Sequence, residues 1–286
     1  MKRSHPAGRL LVALSVAVLV TSGALWGQQV ESPAKRAGQQ APGQKPFTPE
    51  VGQNGKDVVW VPTSETLVAK MLDMAQVTPQ DVVMDLGSGD GRTVIAAAKR
   101  GARAIGIEYN PEMVELSKRN AAAAGVSDRT TFMKADLFET DLSQATVITM
   151  FLLPEINMKL RPKILELKPG TRVVSNSFTM EDWEPDETAT VSDGCTNWCT
   201  ALFWVVPAKV DGTWRFPGGE LVVKQQFQNF TGTLSLPNGS HTITDGKLRG
   251  DVITFTVDGV VHTGKVNGSR MSGTVKGGGE WSASRK

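Results

Sequence analysis

Val82-Val83-Met84-Asp85-Leu86-Gly87-Ser88-Gly89-Asp90-Gly91 is the stretch whose reading decides the fold. Val82 to Met84 have the apolar, β-branched character of a short buried strand, and Asp85 closes it. Gly87, Ser88, Gly89, Asp90 and Gly91 make a tight turn, and the run from Thr93 to Lys99 reads as a helix. A strand, a glycine turn and a helix N-terminus form a cradle: the glycines let backbone N–H groups approach closely, and the helix end presents unpaired donors.

The spacing is G-x-G-x-G, which differs from the G-x-G-x-x-G of pyrophosphate binders. Asp85 stands two residues before the first glycine, where it would repel a pyrophosphate and attract an ammonium group. Glu108 ends the next strand, 103–108, placed to accept from ribose hydroxyls. Asp136 follows the strand after that, 130–135, and suits an adenine amino group. An oxidoreductase of the nicotinamide type is therefore disfavoured. The three acids suit one ligand with an amino-acid end, a ribose and an adenine.

Asp85 to Gly91, Gly106-Ile107-Glu108 and Ala135-Asp136-Leu137-Phe138 resemble motifs I, II and III of the class I S-adenosylmethionine-dependent methyltransferases. The resemblance covers residues 57–207. It implies S-adenosyl-L-methionine as cofactor, with Asp85, Gly87, Ser88, Gly89, Asp90 and Gly91 around its methionine portion. Glu108 would hold the ribose, beside Tyr109 and Asn110, and Asp136 with Leu137 the adenine. Tyr109 or Leu137 would pack on the adenine ring. Val61-Pro62-Thr63 is similar to the segment that folds over the methionine end in such enzymes; Thr63 or Ser64 also suits the N-cap of a helix carrying Leu67 and Met71 on one face.

Strands alternating with helices across this region imply a Rossmann-like parallel sheet with its ligand at the strands' carboxyl ends. The expected elements are strands 82–86, 103–108, 130–135, 145–152 and 171–177, with helices 92–100, 110–124 and 154–167. Val58 to Val61 adds a strand-like run. Strands 188–191 and 200–206 would finish the sheet, although Met180-Glu181-Asp182-Trp183-Glu184-Pro185 is too short and acidic for the helix expected before them.

The acceptor side should follow the fourth strand, at Phe151, Leu153, Pro154 and Glu155, with Trp183 as a second wall or simply a packed tryptophan. Transferases acting on amino groups of DNA bases or glutamine carry Asn/Asp-Pro-Pro-aromatic there; this chain has Thr149-Met150-Phe151-Leu152-Leu153-Pro154. An apolar wall would desolvate an amine and favour its neutral form. Val-Pro-Thr, Asp-Leu-Gly-Ser-Gly-Asp-Gly-Arg and Phe-Leu-Leu-Pro-Glu are together similar to a small protein-lysine methyltransferase family that includes the enzyme acting on the ATP synthase c subunit and archaeal relatives. That similarity implies a protein-lysine or other amine acceptor. A non-catalytic secreted binding protein on the same scaffold is the alternative. Methyl transfer from a sulfonium requires positioning and exclusion of water, with no metal and no triad. Residues 57–207 contain no histidine, so no metal site is expected and no catalytic residue is identified by type.

Charge is unevenly spread. Residues 57–207 hold 14 Lys and Arg against 21 Asp and Glu, a net −7; residues 208–286 hold 10 against 6, a net +4; residues 1–56 hold 7 against 2, a net +5. A region of net −7 lacks the electrostatic footprint of a nucleic-acid binder and favours a cationic or neutral substrate.

Lys2, Arg3 and Arg9 precede an apolar run, Leu10 to Val20, followed by Thr21-Ser22-Gly23-Ala24. Residues 1–27 read as a signal peptide, or as an uncleaved membrane tether through residues 10–26. Residues 28–56, rich in Gln, Pro, Gly and Lys, read as a flexible linker. An exported, periplasmic or extracellular, or membrane-anchored location follows, in tension with a methyl donor made in the cytosol. Cys195 and Cys199 are the only cysteines; in an exported chain they point to one disulfide, with two free thiols as the alternative.

Residues 208–286 form a separate β-rich unit of alternating strands, expected at 213–216, 221–228, 231–236, 241–244, 252–257, 260–266, 271–275 and 280–284. Asn238-Gly239, Asp245-Gly246, Asp258-Gly259 and Asn267-Gly268 supply turn signals. A β-meander or small barrel is expected, with His241 and His262 facing solvent.

Overall fold

A computed structural model describes residues 47–286; the expected signal or anchor and residues 28–46 of the linker lie outside the described residues. Among the described residues no helix is long and apolar enough to cross a membrane.

The first half is a mixed sheet of seven strands. Its parallel core comprises β1 (Val82–Leu86), β2 (Arg103–Glu108), β3 (Thr130–Lys134), β4 (Val147–Met150) and β5 (Arg172–Asn176). The antiparallel pair β6 (Glu187–Thr190) and β7 (Thr200–Val205) completes it in the order β3-β2-β1-β4-β5-β7-β6. The order reverses direction at β1, between β2 and β4, which is the switch point where such sheets bind ligands. Side chains alternate across the sheet. Val83, Val147, Val174 and Phe203 face helices α1 (Glu65–Met74), α2 (Arg92–Lys99) and α3 (Pro111–Ala123), whereas Met84, Ile148, Val173 and Trp204 face α4 (Pro154–Leu165). Two apolar layers thus clamp β1, whose last four residues are all buried.

Local signals explain most boundaries. Ser64, the second of the two N-cap candidates, takes that role in α1, its Oγ accepting from the Leu67 N–H at 3.3 Å. Asn110 caps α3, accepting from the Glu112 N–H at 2.8 Å, with Pro111 at the first helical position. β4 is shorter than the expected 145–152, so Phe151 and Leu152 lie just past its end. The helix before the final strand pair is absent; residues 180–183 form a tight turn with the Trp183 N–H donating to the Met180 carbonyl at 3.2 Å. Val58 to Val61 is no sheet strand. It is one arm of a small turn in which Gly52 N–H donates to Trp60 O and Trp60 N–H to Gln53 O, both at 2.9 Å. Residues 50–56, within the stretch read as linker, form the other arm.

The second half is a closed eight-stranded antiparallel barrel: β8 (Gly212–Phe216), β9 (Gly219–Gln226), β10 (Asn229–Leu236), β11 (Gly239–Arg249), β12 (Val252–Val257), β13 (Val260–Asn267), β14 (Arg270–Val275) and β15 (Glu280–Arg285), with β15 returning to β8. Asp245-Gly246 is a bulge within β11 rather than a turn ending it, as the register shift against both neighbours shows. Closure gives every strand an inner face, and Trp214, Phe230, Phe255 and Trp281 fill it. His262 is drawn to that face, stacking on Phe255 with centroids 4.8 Å apart, and His241 is half-buried against Asp258; neither is the solvent-facing residue expected.

Candidate active site

A cavity of about 220 Å³ opens at the carboxyl ends of β1, β2 and β4. Asp85, Glu108 and Asp136 all line it, together with Gly87, Ser88, Gly89, Asp90, Tyr109, Asn110, Leu137 and Thr63. Residues separated by up to 74 positions in sequence are thereby gathered around one space.

Asp85 is 7 % exposed, and its Oδ1 accepts from the Thr149 hydroxyl at 2.6 Å. Burial pushes its carboxyl up to about 7, the neighbouring Asp90 and Glu108 charges push the same way, and the Thr149 hydrogen bond opposes them. Glu108 ties the glycine turn to the start of α3: its Oε2 accepts from the Gly89 N–H at 3.0 Å and its Oε1 from the Asn110 N–H at 2.9 Å. Each oxygen keeps a lone pair for a further donor. Gly89 has φ +54, and a Cβ there would come within 2.6 Å of the Trp60 indole nitrogen, so glycine alone admits both the turn and the indole lying on it.

Ser88 lines the cavity, whereas Gly91 packs behind it. The Ser88 side chain backs onto Gly106, where a Cβ would sit 2.6 Å from its Oγ, and that buried hydroxyl has no hydrogen-bond partner in the protein. Gly91 does not line the cavity; it is the left-handed N-cap of α2, packed over Ser117 and Phe132. Asp90 is engaged by Arg92 through Nε and Nη2, at 3.0 and 2.6 Å, and Arg92 Nη1 donates to the Thr63 carbonyl at 2.8 Å. Asn176 donates to Thr63 Oγ1 at 3.2 Å. The Val-Pro-Thr segment is thereby fixed against the glycine turn.

Asp136 is engaged by a residue that sequence reasoning placed in a linker. Lys56 Nζ lies 2.5 Å from Asp136 Oδ2 and 4.8 Å from the centroid of the Tyr109 ring. The Lys56 hydrogen bond holds the Asp136 carboxyl below its ordinary range. The 50–60 turn thus straps the cavity, with Trp60 at the glycine turn and Lys56 at the Asp136 end. The signal that would have revealed it is weak: one lysine and one tryptophan in a Gly- and Gln-containing stretch.

On the acceptor side Phe151 and Leu153 line the cavity, with Leu152 and Ile156. Pro154 and Glu155 do not; they begin α4, and Glu155 is exposed. Trp183 is no wall either, because it is fully buried between Trp204 and Phe227. The aromatic walls are Phe178 and Trp198, whose rings lie 5.8 and 5.9 Å from that of Phe151. Trp198 belongs to the loop closed by a Cys195–Cys199 disulfide. Among the described residues no group of His, Cys, Asp and Glu side chains is placed to hold a metal.

Residues 85–187 match the ANTKMT methyltransferase domain, and residues 28–119 match a DNA methylase profile. A protein-lysine N-methyltransferase of Saccharolobus islandicus is 46 % identical over 149 residues, which cover 51 % of this chain and 92 % of that protein. The lysine N-methyltransferase of the ATP synthase c subunit from Xenopus laevis is 38 % identical over 128 residues, 44 % of this chain; the match spans 56 % of that enzyme's length. A crystal structure of an RNA methyltransferase from Salinibacter ruber with S-adenosyl-L-homocysteine is 47 % identical, covering 52 % of this chain and 96 % of that one, with a TM-score of 0.49.

Proposed function

This chain belongs to the protein-lysine N-methyltransferase family of class I S-adenosylmethionine-dependent methyltransferases, and from that premise we propose that it methylates a lysine amine of a protein, using S-adenosyl-L-methionine. The observation that carries the reading is the gathering of Asp85, Glu108 and Asp136 around one cavity at the switch point of the sheet.

The residues present fit that cofactor. Asp85 with the adjacent acids suits an α-ammonium, the backbone of Gly87 to Gly89 a carboxylate, Glu108 a ribose diol, and Asp136 with Leu137 and Tyr109 an adenine. When bound, S-adenosylmethionine supplies a methyl group already activated on a sulfonium sulfur. What remains for the protein is to align an amine nitrogen with that methyl and to exclude water. The apolar lining of Phe151, Leu152, Leu153 and Ile156 disfavours an ammonium there and so raises the share of neutral amine, whose lone pair is the nucleophile.

A nucleic acid is the competing acceptor, since one matching profile is a DNA methylase. That match ends at residue 119, before the acceptor segment, and the net −7 of residues 57–207 opposes binding to phosphates. Incubating the purified protein and radiolabelled S-adenosylmethionine with membrane and soluble protein extracts, and in parallel with total RNA and DNA, separates the readings. Label on protein lysine, located by mass spectrometry, is expected; label on nucleic acid alone would overturn the assignment.

An exported or membrane-anchored location, through the basic and apolar N-terminus, is also part of this proposal. Sequencing the mature N-terminus of fractionated protein tests it.

Lys56 gives a smaller prediction. An exposed ion pair is screened by solvent and contributes little, so Lys56→Ala should weaken S-adenosylhomocysteine binding by no more than about five-fold, mainly through faster release. Stopped-flow release rates equal to wild type at low salt would dismiss the strap.

A further inference from the structure

Phe151, Phe178 and Trp198 meet at the mouth of the cavity, but they are not held equally. Phe151 directly follows β4. Phe178 sits in a turn at the end of β5, where its carbonyl accepts from the Ser175 hydroxyl at 2.7 Å and from the Asn157 amide at 3.2 Å, both buried side chains. Trp198 has neither support. It is 46 % exposed and has φ +53, a region that non-glycine residues rarely adopt. No backbone hydrogen bond joins residues 192–198 to the rest of the described chain; the nearest is from the Val191 N–H to the Cys199 carbonyl at 2.9 Å. The covalent constraint on this loop is the disulfide between Cys195 and Cys199.

We propose that these three aromatic rings form the vestibule that admits the substrate lysine, and that the Cys195–Cys199 disulfide is its latch, holding Trp198 over the opening; this rests on the lysine acceptor proposed above. Aromatic faces attract an ammonium or methylated ammonium through the ring quadrupole, and they sheathe the butyl stem below it. The net −7 of residues 57–207 favours the same cationic guest. Inside, the lining turns aliphatic at Leu152, Leu153 and Ile156, so a side chain moves from a surface that favours its charged form to one that favours its neutral form. Reduction of the disulfide, two electrons and two protons from a dithiol giving two thiols, frees residues 195–199 and with them the third wall.

The test uses the full chain labelled with 5-fluorotryptophan and saturated with S-adenosylhomocysteine. The Trp198 fluorine resonance is assigned by its loss in Trp198→Phe. The probes are Nα-acetyl-lysine N-methylamide, its Nε-trimethyl form and the norleucine isostere. The two cationic probes are expected to shift the Trp198 resonance and to bind at least five-fold more tightly than norleucine. Dithiothreitol, or the double change Cys195→Ser and Cys199→Ser, should reduce that preference at least three-fold. Trp198→Ala, followed by calorimetry, should remove the preference, whereas Trp198→Phe should keep most of it. S-adenosylhomocysteine affinity should stay within two-fold throughout. Equal binding of lysine and norleucine probes, or an undiminished preference in the reduced protein, overturns the proposal. Failure of wild type to bind S-adenosylhomocysteine counts instead against the function proposed above.

Discussion

Replacing Asp85 by Asn is expected to weaken S-adenosylhomocysteine binding by roughly 10- to 100-fold, the scale of a lost charge-assisted hydrogen bond of ~1.5–3 kcal/mol. The same change should stabilise the free protein at pH 8. Both effects come from one cause. Asp85 is 7 % exposed and has a single hydroxyl partner, Thr149, so its ionised form lacks solvation until an ammonium arrives. Burial raises its folded pKa to about 7, well above the ordinary carboxylate value of 3.8. Between about pH 4 and pH 7 the folded protein therefore binds more protons at this position than the unfolded chain does. The group's contribution is most favourable below pH 4 and is lost as pH rises through 7. Asn keeps the acceptor for Thr149 and never ionises, so it should add on the order of 2 kcal/mol to the unfolding free energy of the free protein at pH 8 and flatten its pH dependence. Binding runs the other way. An ammonium ligand needs the carboxylate, so affinity should rise with pH and level off above 7, with a proton released on binding below that point. Calorimetry at pH 6.5 in two buffers of different ionisation enthalpy measures that proton. An unchanged proton release in Asp85→Asn would remove Asp85 from the ammonium role.

What could be read ahead of the structure were features whose cause is local. A glycine turn between a buried strand and a helix, acids at strand ends and an Asn-Pro helix start each depend on a few adjacent residues, and each lies where expected. The misreadings concern contacts made across the chain. Trp183 and Trp198 both follow the last parallel strand; Trp198 stands beside Cys199, within the cysteine pair, but that pairing alone does not say which ring reaches the cavity. Only the closure of β6 on β7 and the disulfide bring Trp198 to Phe151, while the turn at 180–183 folds Trp183 inward. Lys56 ends a stretch of linker-like composition and Trp60 lies in a short strand-like run; the fit of Lys56 to Asp136 depends on a residue 80 positions further on, and that of Trp60 to Gly89 on a turn 29 positions further on. His262 shares a face with Gly264 and Val266, the buried set of its strand, so only its polar type suggested an outward position. Closing the barrel gave it an aromatic neighbour instead.

Trp183→Ala should be among the most destabilising single substitutions in the described chain, by about 3–5 kcal/mol, the range for truncating a fully buried aromatic. For a unit of this size that corresponds to a fall in Tm of roughly 10 °C. The ring is fully buried, lies 6.0 Å from Trp204 and stacks on Phe227 at 5.9 Å. Phe227 is in the turn between β9 and β10, so Trp183 is where a barrel turn packs onto the core of the sheet. The same junction carries Arg161 over the Phe227 ring, the Gln228 amide donating to the Glu184 carbonyl at 2.8 Å, and the Trp204 indole donating to the Trp183 carbonyl at 2.7 Å. The last bond uses the Trp183 backbone and survives the substitution, which confines the loss to the ring. Trp183→Phe separates packing from polarity. The Trp183 indole N–H is buried without a partner in the protein, so phenylalanine gives up some contact area but also relieves an unsatisfied donor. Its expected cost is about 1 kcal/mol or less, measured by urea unfolding. Because Trp183 does not line the cavity, S-adenosylhomocysteine affinity should be unchanged in folded samples of both variants. If Trp183→Phe cost as much as Trp183→Ala, the indole N–H would have to be satisfied, and the junction would be held by polarity rather than by stacked rings.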